Sequence, residues 1–201
     1  HKAENRMIDQ DLLQKYNKPV PRYTSYPPAN FFTDEFKEAD FRNALTESND
    51  QRPENISFYF HIPFCKQMCY FCGCNSYGIK NDHIIHDYIQ ALKAEINTVV
   101  KYIDKRRPIS QIHYGGGTPN AIPVKYLQEI NDILLSTFPT IDKPEIAIEC
   151  NPAYLTFEQM DGLKKAGFKR FSLGIQDFNP EVLKIVNREM PGMPVKDIMD
   201  Y

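Results

Sequence analysis

From Ile56 onward the chain repeats one order: a short run of β-branched and aromatic residues ending at a Gly, Pro or Asn, then a longer stretch whose apolar residues return with a helical period. Four such pairs can be counted. Ile56 to Ile62 precedes a predicted helix near Asp82 to Tyr102, and Gln111 to Tyr114 precedes one near Val124 to Phe138. Glu145 to Glu149 precedes one near Phe157 to Ala166, and Phe171 to Ile175 one near Pro180 to Val186. In the first helix Ile85, Ile89, Leu92, Ile96 and Val99 fall on one stripe, the mark of a buried face. Strands alternating with helices in this way predict an α/β fold with a parallel sheet.

Both ends depart from the pattern. Met7 to Asn49 is polar and carries Pro19, Pro21, Pro27 and Pro28 around Arg22-Tyr23-Thr24-Ser25-Tyr26, which predicts an extended N-terminal arm (residues 7–52) with one helix near Asp34 to Leu45. Residues 1–6, ahead of Met7, are read as a tag remnant. At the other end Pro191, Gly192 and Pro194 interrupt the pattern, and Val195 to Tyr201 gives about two further turns, so residues 53–201 are expected to stop inside a unit.

Four βα units cannot close an eight-stranded barrel, which leaves a doubly wound open sheet or the first part of a partial barrel. In both, the loops after the strand C-termini build the site. The unusual residues fall there: the cysteines after the first strand, Gly115-Gly116-Gly117-Thr118 after the second, Glu149-Cys150-Asn151 after the third and Gln176-Asp177 after the fourth. One shared site is expected.

The net charge of -2, with 25% charged residues, gives no electrostatic case for nucleic acid or an anionic membrane as partner. No run of 18 apolar residues and no secretory leader is present, so a cytoplasmic protein, expected as a monomer, is predicted. Cysteine changes the picture more. Of five cysteines, four lie between Cys65 and Cys74, a clustering that suits metal better than a disulfide framework. Cys65, Cys69 and Cys72, spaced Cys-x-x-x-Cys-x-x-Cys, are candidate ligands of a [4Fe–4S] cluster. Three thiolates leave one iron of such a cube open, as a catalytic zinc keeps one position open for substrate. The competing reading is a zinc-binding interaction module, a knuckle with Cys74 as fourth ligand. Cys150 reads as a small buried residue.

The stretch His61-Ile62-Pro63-Phe64-Cys65 through Cys69-Tyr70-Phe71-Cys72-Gly73-Cys74-Asn75 resembles the cluster loop of the oxygen-independent coproporphyrinogen III dehydrogenases, enzymes of the radical S-adenosylmethionine (SAM) type. Pro21 to Pro27, Gly115 to Pro119, Gly174 to Asn179 and Val186 to Glu189 are similar to the same family, so the resemblance runs from about Met7 to Glu189. It implies a partial (β/α) barrel of the radical SAM type holding a [4Fe–4S] cluster and SAM, with two SAM molecules possible. It further implies oxidative decarboxylation of two propionates of coproporphyrinogen III to the vinyl groups of protoporphyrinogen IX, through a 5′-deoxyadenosyl radical and with an electron donor left unidentified.

The same resemblance implies roles for single residues. Tyr59 contacts SAM, the loop aromatic Tyr70 or Phe71 flanks it, Gly116, Gly117 and Thr118 receive its methionine end, and Glu149 accepts hydrogen bonds from its amino group or ribose. Gln176 and Arg188 serve a second SAM. By composition alone Tyr59 reads as strand packing, Phe71 as a loop anchor, Glu149 as a solvated strand end, Arg188 as a surface charge and His61 as a core imidazole. Cys74 is open to a structural or substrate-proximal role. Within the superfamily, a haem chaperone and a haem-degrading methyltransferase are the rival readings.

Overall fold

A computed structural model describes residues 9–19 and 28–201. The expected arm motif at Pro21 to Pro27 and residues 1–6 lie outside the described residues. Contacts divide the chain into two units, residues 1–38 and 39–201. In the first unit, helix α1 (Gln10–Tyr16) starts where the Asp9 carboxylate accepts from the Asp11 and Leu12 backbone N–H groups, a side-chain cap that the sequence reading missed.

The second unit is built on strands β1 (Ile56–Ile62), β4 (Ile109–Gly116), β5 (Thr140–Cys150) and β6 (Arg170–Leu173), all parallel and in that spatial order. A second, two-stranded parallel sheet joins β2 (Phe64–Cys65) to β3 (Tyr77–Gly78). Helix α2 (Glu38–Glu47) precedes β1. The connections carry α3 (Asp82–Val99), α4 (Val124–Thr137) and α5 (Phe157–Lys165), while α6 (Pro180–Ile185) and α7 (Val195–Asp200) follow β6. Each long helix begins on the cap that its sequence supplies where one exists: Asn81 accepts from Ile84 N–H, and Thr156 from Gln159 N–H.

Strand alternation sorts the side chains. Ile56, Phe60, Ile62, Ile112, Tyr114, Ile146 and Ile148 point to the helix side and are buried with Ile85, Ile89, Leu127, Ile130, Leu134 and Leu163. Two polar groups enter this core fully satisfied: Tyr114 donates to Asn131 Oδ1 at 2.7 Å, and Asn131 donates to the Ala166 carbonyl at 2.9 Å. Tyr59, His61, Gln111, His113, Glu145, Glu149, Arg170 and Ser172 occupy the alternate positions and remain half-buried or exposed. Four of the expected strand and helix pairs are therefore present, with β4 and β5 longer than their apolar cores suggested. Backbone pairing extends past the apolar residues because the ladder needs N–H and C=O groups, not hydrophobic side chains.

Candidate active site at the strand ends

The cysteine loop is closed at its base by backbone alone. Tyr77 N–H donates to the Pro63 carbonyl at 2.6 Å and Ile79 N–H to the Cys65 carbonyl at 2.8 Å, which makes residues 66–76 a loop clipped by β2 and β3. The end of β4 grips the same base: Gly117 N–H donates to Ile62 and Thr118 N–H to Phe64, both at 2.9 Å. Gly116 has φ 116°, a region that L side chains avoid. A Cβ on Gly117 would stand 2.9 Å from the Pro63 carbonyl carbon and 3.0 Å from Cys65 Sγ, so the glycine run is what lets β4 meet the cysteine loop.

The three candidate ligands differ in access. Cys65 is buried, with its Sγ 3.4 Å from Thr118 Oγ1; Cys69 is half-buried, with Arg188 Nη1 3.7 Å from its Sγ; Cys72 is exposed. All three face one cavity of about 350 Å³, within the range of roughly 300–1,000 Å³ usual for small-molecule sites. Phe71, Gly116, Gly117, Thr118, Glu149, Gln176 and Arg188 line it too. Among the described residues no three Cys, His, Asp or Glu side chains converge on a point suited to a single metal ion. Three thiols on one cavity suit a cube, which offers each cysteine its own iron, whereas one zinc must gather all its donors at about 2.3 Å.

Tyr59 is the predicted site residue that does not line this cavity. It lines a neighbouring groove with Phe60, His61 and Tyr88, and is 59% exposed rather than packed in a core. It is nonetheless tied to the site. Its ring stacks on His113 at 5.8 Å, and its hydroxyl lies 3.2 Å from His61 Nδ1. His61 Nε2 contacts the Asn75 carbonyl at 2.7 Å, and a carbonyl can only accept, so Nε2 carries the proton and Nδ1 accepts from Tyr59. Burial, then the charges of Glu149 and Cys74, raise the Tyr59 phenol above its ordinary value and keep it a donor.

Several composition-based readings give way. Phe71 is 54% exposed and anchors no core. Arg188 is half-buried and donates to the Gly174 carbonyl, so it is not a loose surface charge. His61 bridges strand and loop instead of sitting in the core. Glu149 accepts from His113 Nε2 at 3.1 Å instead of being solvated alone. Cys150 is buried as expected, and burial, then the Glu149 charge, pushes its thiol up to about 12. The Cys74 thiol is also raised, first by its hydrogen bond with Cys72.

Two residues that the sequence reading did not single out as functional prove central. His113 touches both Glu149 and Tyr59 from the middle of β4; the available signal was its place, two residues after Gln111, on the polar side of an alternating strand. Asn120, buried at 1%, donates to the Asn151 carbonyl and accepts from Asn151 N–H, locking the loops after β4 and β5 together.

A model of the radical SAM superfamily matches residues 59–201. The oxygen-independent coproporphyrinogen III oxidase of Synechocystis sp. is 40% identical over 191 residues, covering 95% of this chain and 41% of that protein. The protein of the same name from Escherichia coli is 41% identical over 186 residues, covering 92% and 40%. A solved structure of coproporphyrinogen III oxidase from Escherichia coli, described as a radical SAM enzyme, matches with a TM-score of 0.76 at 38% identity, over 90% of this chain and 39% of that one. The chain spans about two fifths of the length of the curated relatives it matches. The structural likeness bears out the α/β fold expected from the strand and helix order.

Proposed function

The chain belongs to the radical SAM superfamily, whose cofactors are a [4Fe–4S] cluster and SAM, and we propose that it carries the cofactor half of an oxygen-independent coproporphyrinogen III oxidase. The observation that carries this reading is the convergence of Cys65, Cys69 and Cys72 with Gly116, Gly117, Thr118, Glu149, Gln176 and Arg188 on one cavity. When bound, cluster and SAM would supply the radical that takes one hydrogen atom from a substrate propionate; loss of CO2 together with one electron, passed to an outside one-electron acceptor, would leave the vinyl group of protoporphyrinogen IX.

In this reading the protein's residues bind and orient. Cys65, Cys69 and Cys72 each give one thiolate to an iron. Thr118 Oγ1, beside Cys65 Sγ, is placed to donate to that thiolate. The N–H groups of Gly117 and Thr118 are already spent on the loop, so the glycine run has backbone carbonyls rather than donors to offer, which suits the ammonium of the methionine end more than its carboxylate. Glu149, steadied by His113, adds a carboxylate acceptor for the amino group or ribose. Arg188 and Gln176 supply donors on the opposite wall, for the carboxylate of one SAM or for a second molecule. Phe71 offers an apolar face beside the cluster. An outside one-electron donor and a cytoplasmic setting complete the proposal.

Reconstitution under anaerobic conditions tests it. Wild-type protein should hold about four irons per chain, and Cys65→Ala, Cys69→Ala and Cys72→Ala should each abolish the four-iron cluster because an iron loses its protein ligand. Cys74→Ser and Cys150→Ser should leave iron content nearly unchanged. Four irons retained in any of the first three variants would sink the ligand assignment. For the reaction itself, the full-length protein with SAM, a reductant to prime the cluster and a one-electron acceptor should form protoporphyrinogen IX from coproporphyrinogen III.

A further inference from the structure

The cysteine loop is held from a second side by a segment far along the chain. Tyr70 N–H donates to the Val186 carbonyl at 3.0 Å, Gln67 Nε2 donates to both the carbonyl and Oδ1 of Asn187 at 3.0 Å, and Asn187 Nδ2 donates to the Met68 carbonyl at 2.8 Å. Arg188 then approaches Cys69 Sγ and binds the Gly174 carbonyl. Four consecutive loop residues, Gln67 to Tyr70, thus meet the segment that ends α6.

Asn187 occupies an unusual backbone position. Its φ is 55°, in the left-handed region. The turn around it has the pairing of a helix C-terminal motif: Arg188 N–H to the Leu183 carbonyl at 2.8 Å and Asn187 N–H to the Lys184 carbonyl at 3.1 Å. Glycine fills that position most often, since it has no Cβ to oppose a positive φ. The turn therefore does not need an asparagine, while the side-chain contacts to Gln67 and Met68 do.

We propose that Asn187 is a positioning residue that fixes residues 67–70, and with them Cys69, against the end of α6. Its side chain accepts from one loop residue and donates to the next, so it reads both a donor and an acceptor of the loop and sets its register. Leu183, the buried residue of α6, seats the helix that carries the clamp. The proposal rests on the cluster reading only for its consequence at Cys69; the clamp itself is a property of the protein without cofactors.

Asn187→Gly separates the side chain from the turn, because glycine satisfies the positive φ at least as well. In the full chain without cluster, hydrogen exchange of the backbone at residues 67–72 should speed up about tenfold, as loss of one or two hydrogen bonds allows, while the thermal midpoint and exchange in β4 and β5 stay unchanged. Asn187→Asp, which keeps the acceptor for Gln67 and loses the donor to Met68, should give a smaller rise. Gln67→Ala should be non-additive with Asn187→Gly. With cluster loaded, Asn187→Gly should release iron to a chelator several-fold faster than wild type.

Exchange at 67–72 equal to wild type in Asn187→Gly would overturn the proposal, as would a uniform rise across the whole fold. Wild-type protein that takes up no four-iron cluster would sink the cluster reading and leave the exchange result standing, so the two failures are distinguishable.

Discussion

The two faces of the main sheet are made from alternate residues of the same four strands, yet they obey different rules. The helix-side face is a continuous row of Ile, Phe and Tyr with its few polar atoms paired. The opposite face is a sequence of polar pairs: Gln111 with Glu145 at 2.5 Å, Arg170 with Glu145 at 3.0 Å, His113 with Glu149 at 3.1 Å, and Tyr59 with His61 at 3.2 Å. Parallel sheets in α/β folds are usually apolar on both faces. A strand face that is polar apart from the small, buried Ala147 contributes little to stability through burial, so its residues are free to serve the site above them.

The comparison predicts that stability and ligand binding will separate by face. The largest expected effect on stability belongs to the helix side: Ile148→Ala, at a fully buried position, should cost about 2–5 kcal/mol by lost burial and cavity formation, read as a lower urea midpoint, and a cost below about 1 kcal/mol would break the comparison. Next, Glu149→Gln should alter stability by no more than about 0.5 kcal/mol while weakening SAM binding about tenfold to a hundredfold in a calorimetric titration of cluster-loaded protein. Loss of folding together with binding in that variant would show that the polar face is structural after all.

The smallest effect concerns acid. The Gln111 hydrogen bond, then Arg170, holds the Glu145 carboxyl below its ordinary 4.5. A carboxyl depressed on folding adds stability that is present above the unfolded value and disappears as pH falls through the folded one. Glu145→Gln should therefore lower the urea midpoint slightly at neutral pH and flatten its pH dependence below about 4.5. Because the group is exposed, the change is small, and an unaltered acid limb would place the contribution of this ion pair at nothing.

Sequence reading reached the helix-side face easily because its signal is one of repetition: Ile85, Ile89 and Ile96 return at helical spacing and are buried. The cysteine loop was legible because three thiols held so close together in a chain suit a metal centre and little else. What escaped has a common physical cause. The clip of β2 and β3 is made by backbone groups that any residue carries, and a two-residue strand has no periodicity to detect. His113 and Asn187 act across 36 and 119 positions of chain, and no local pattern marks a partner at that distance. Tyr59 and Phe71 carry no sequence signal against a core position, and only their exposure removes that reading.

The span between the cysteine loop and its clamp also orders events in time. Gln67 and Asn187 are 120 residues apart, so at synthesis rates of roughly 5–20 residues per second the loop leaves the ribosome on the order of ten seconds before the residue that steadies it. During that interval the thiols of Cys65, Cys69 and Cys72 are present in the cell without the segment that fixes their register. Iron delivery that depends on a fixed loop is therefore placed after translation of the α6 segment.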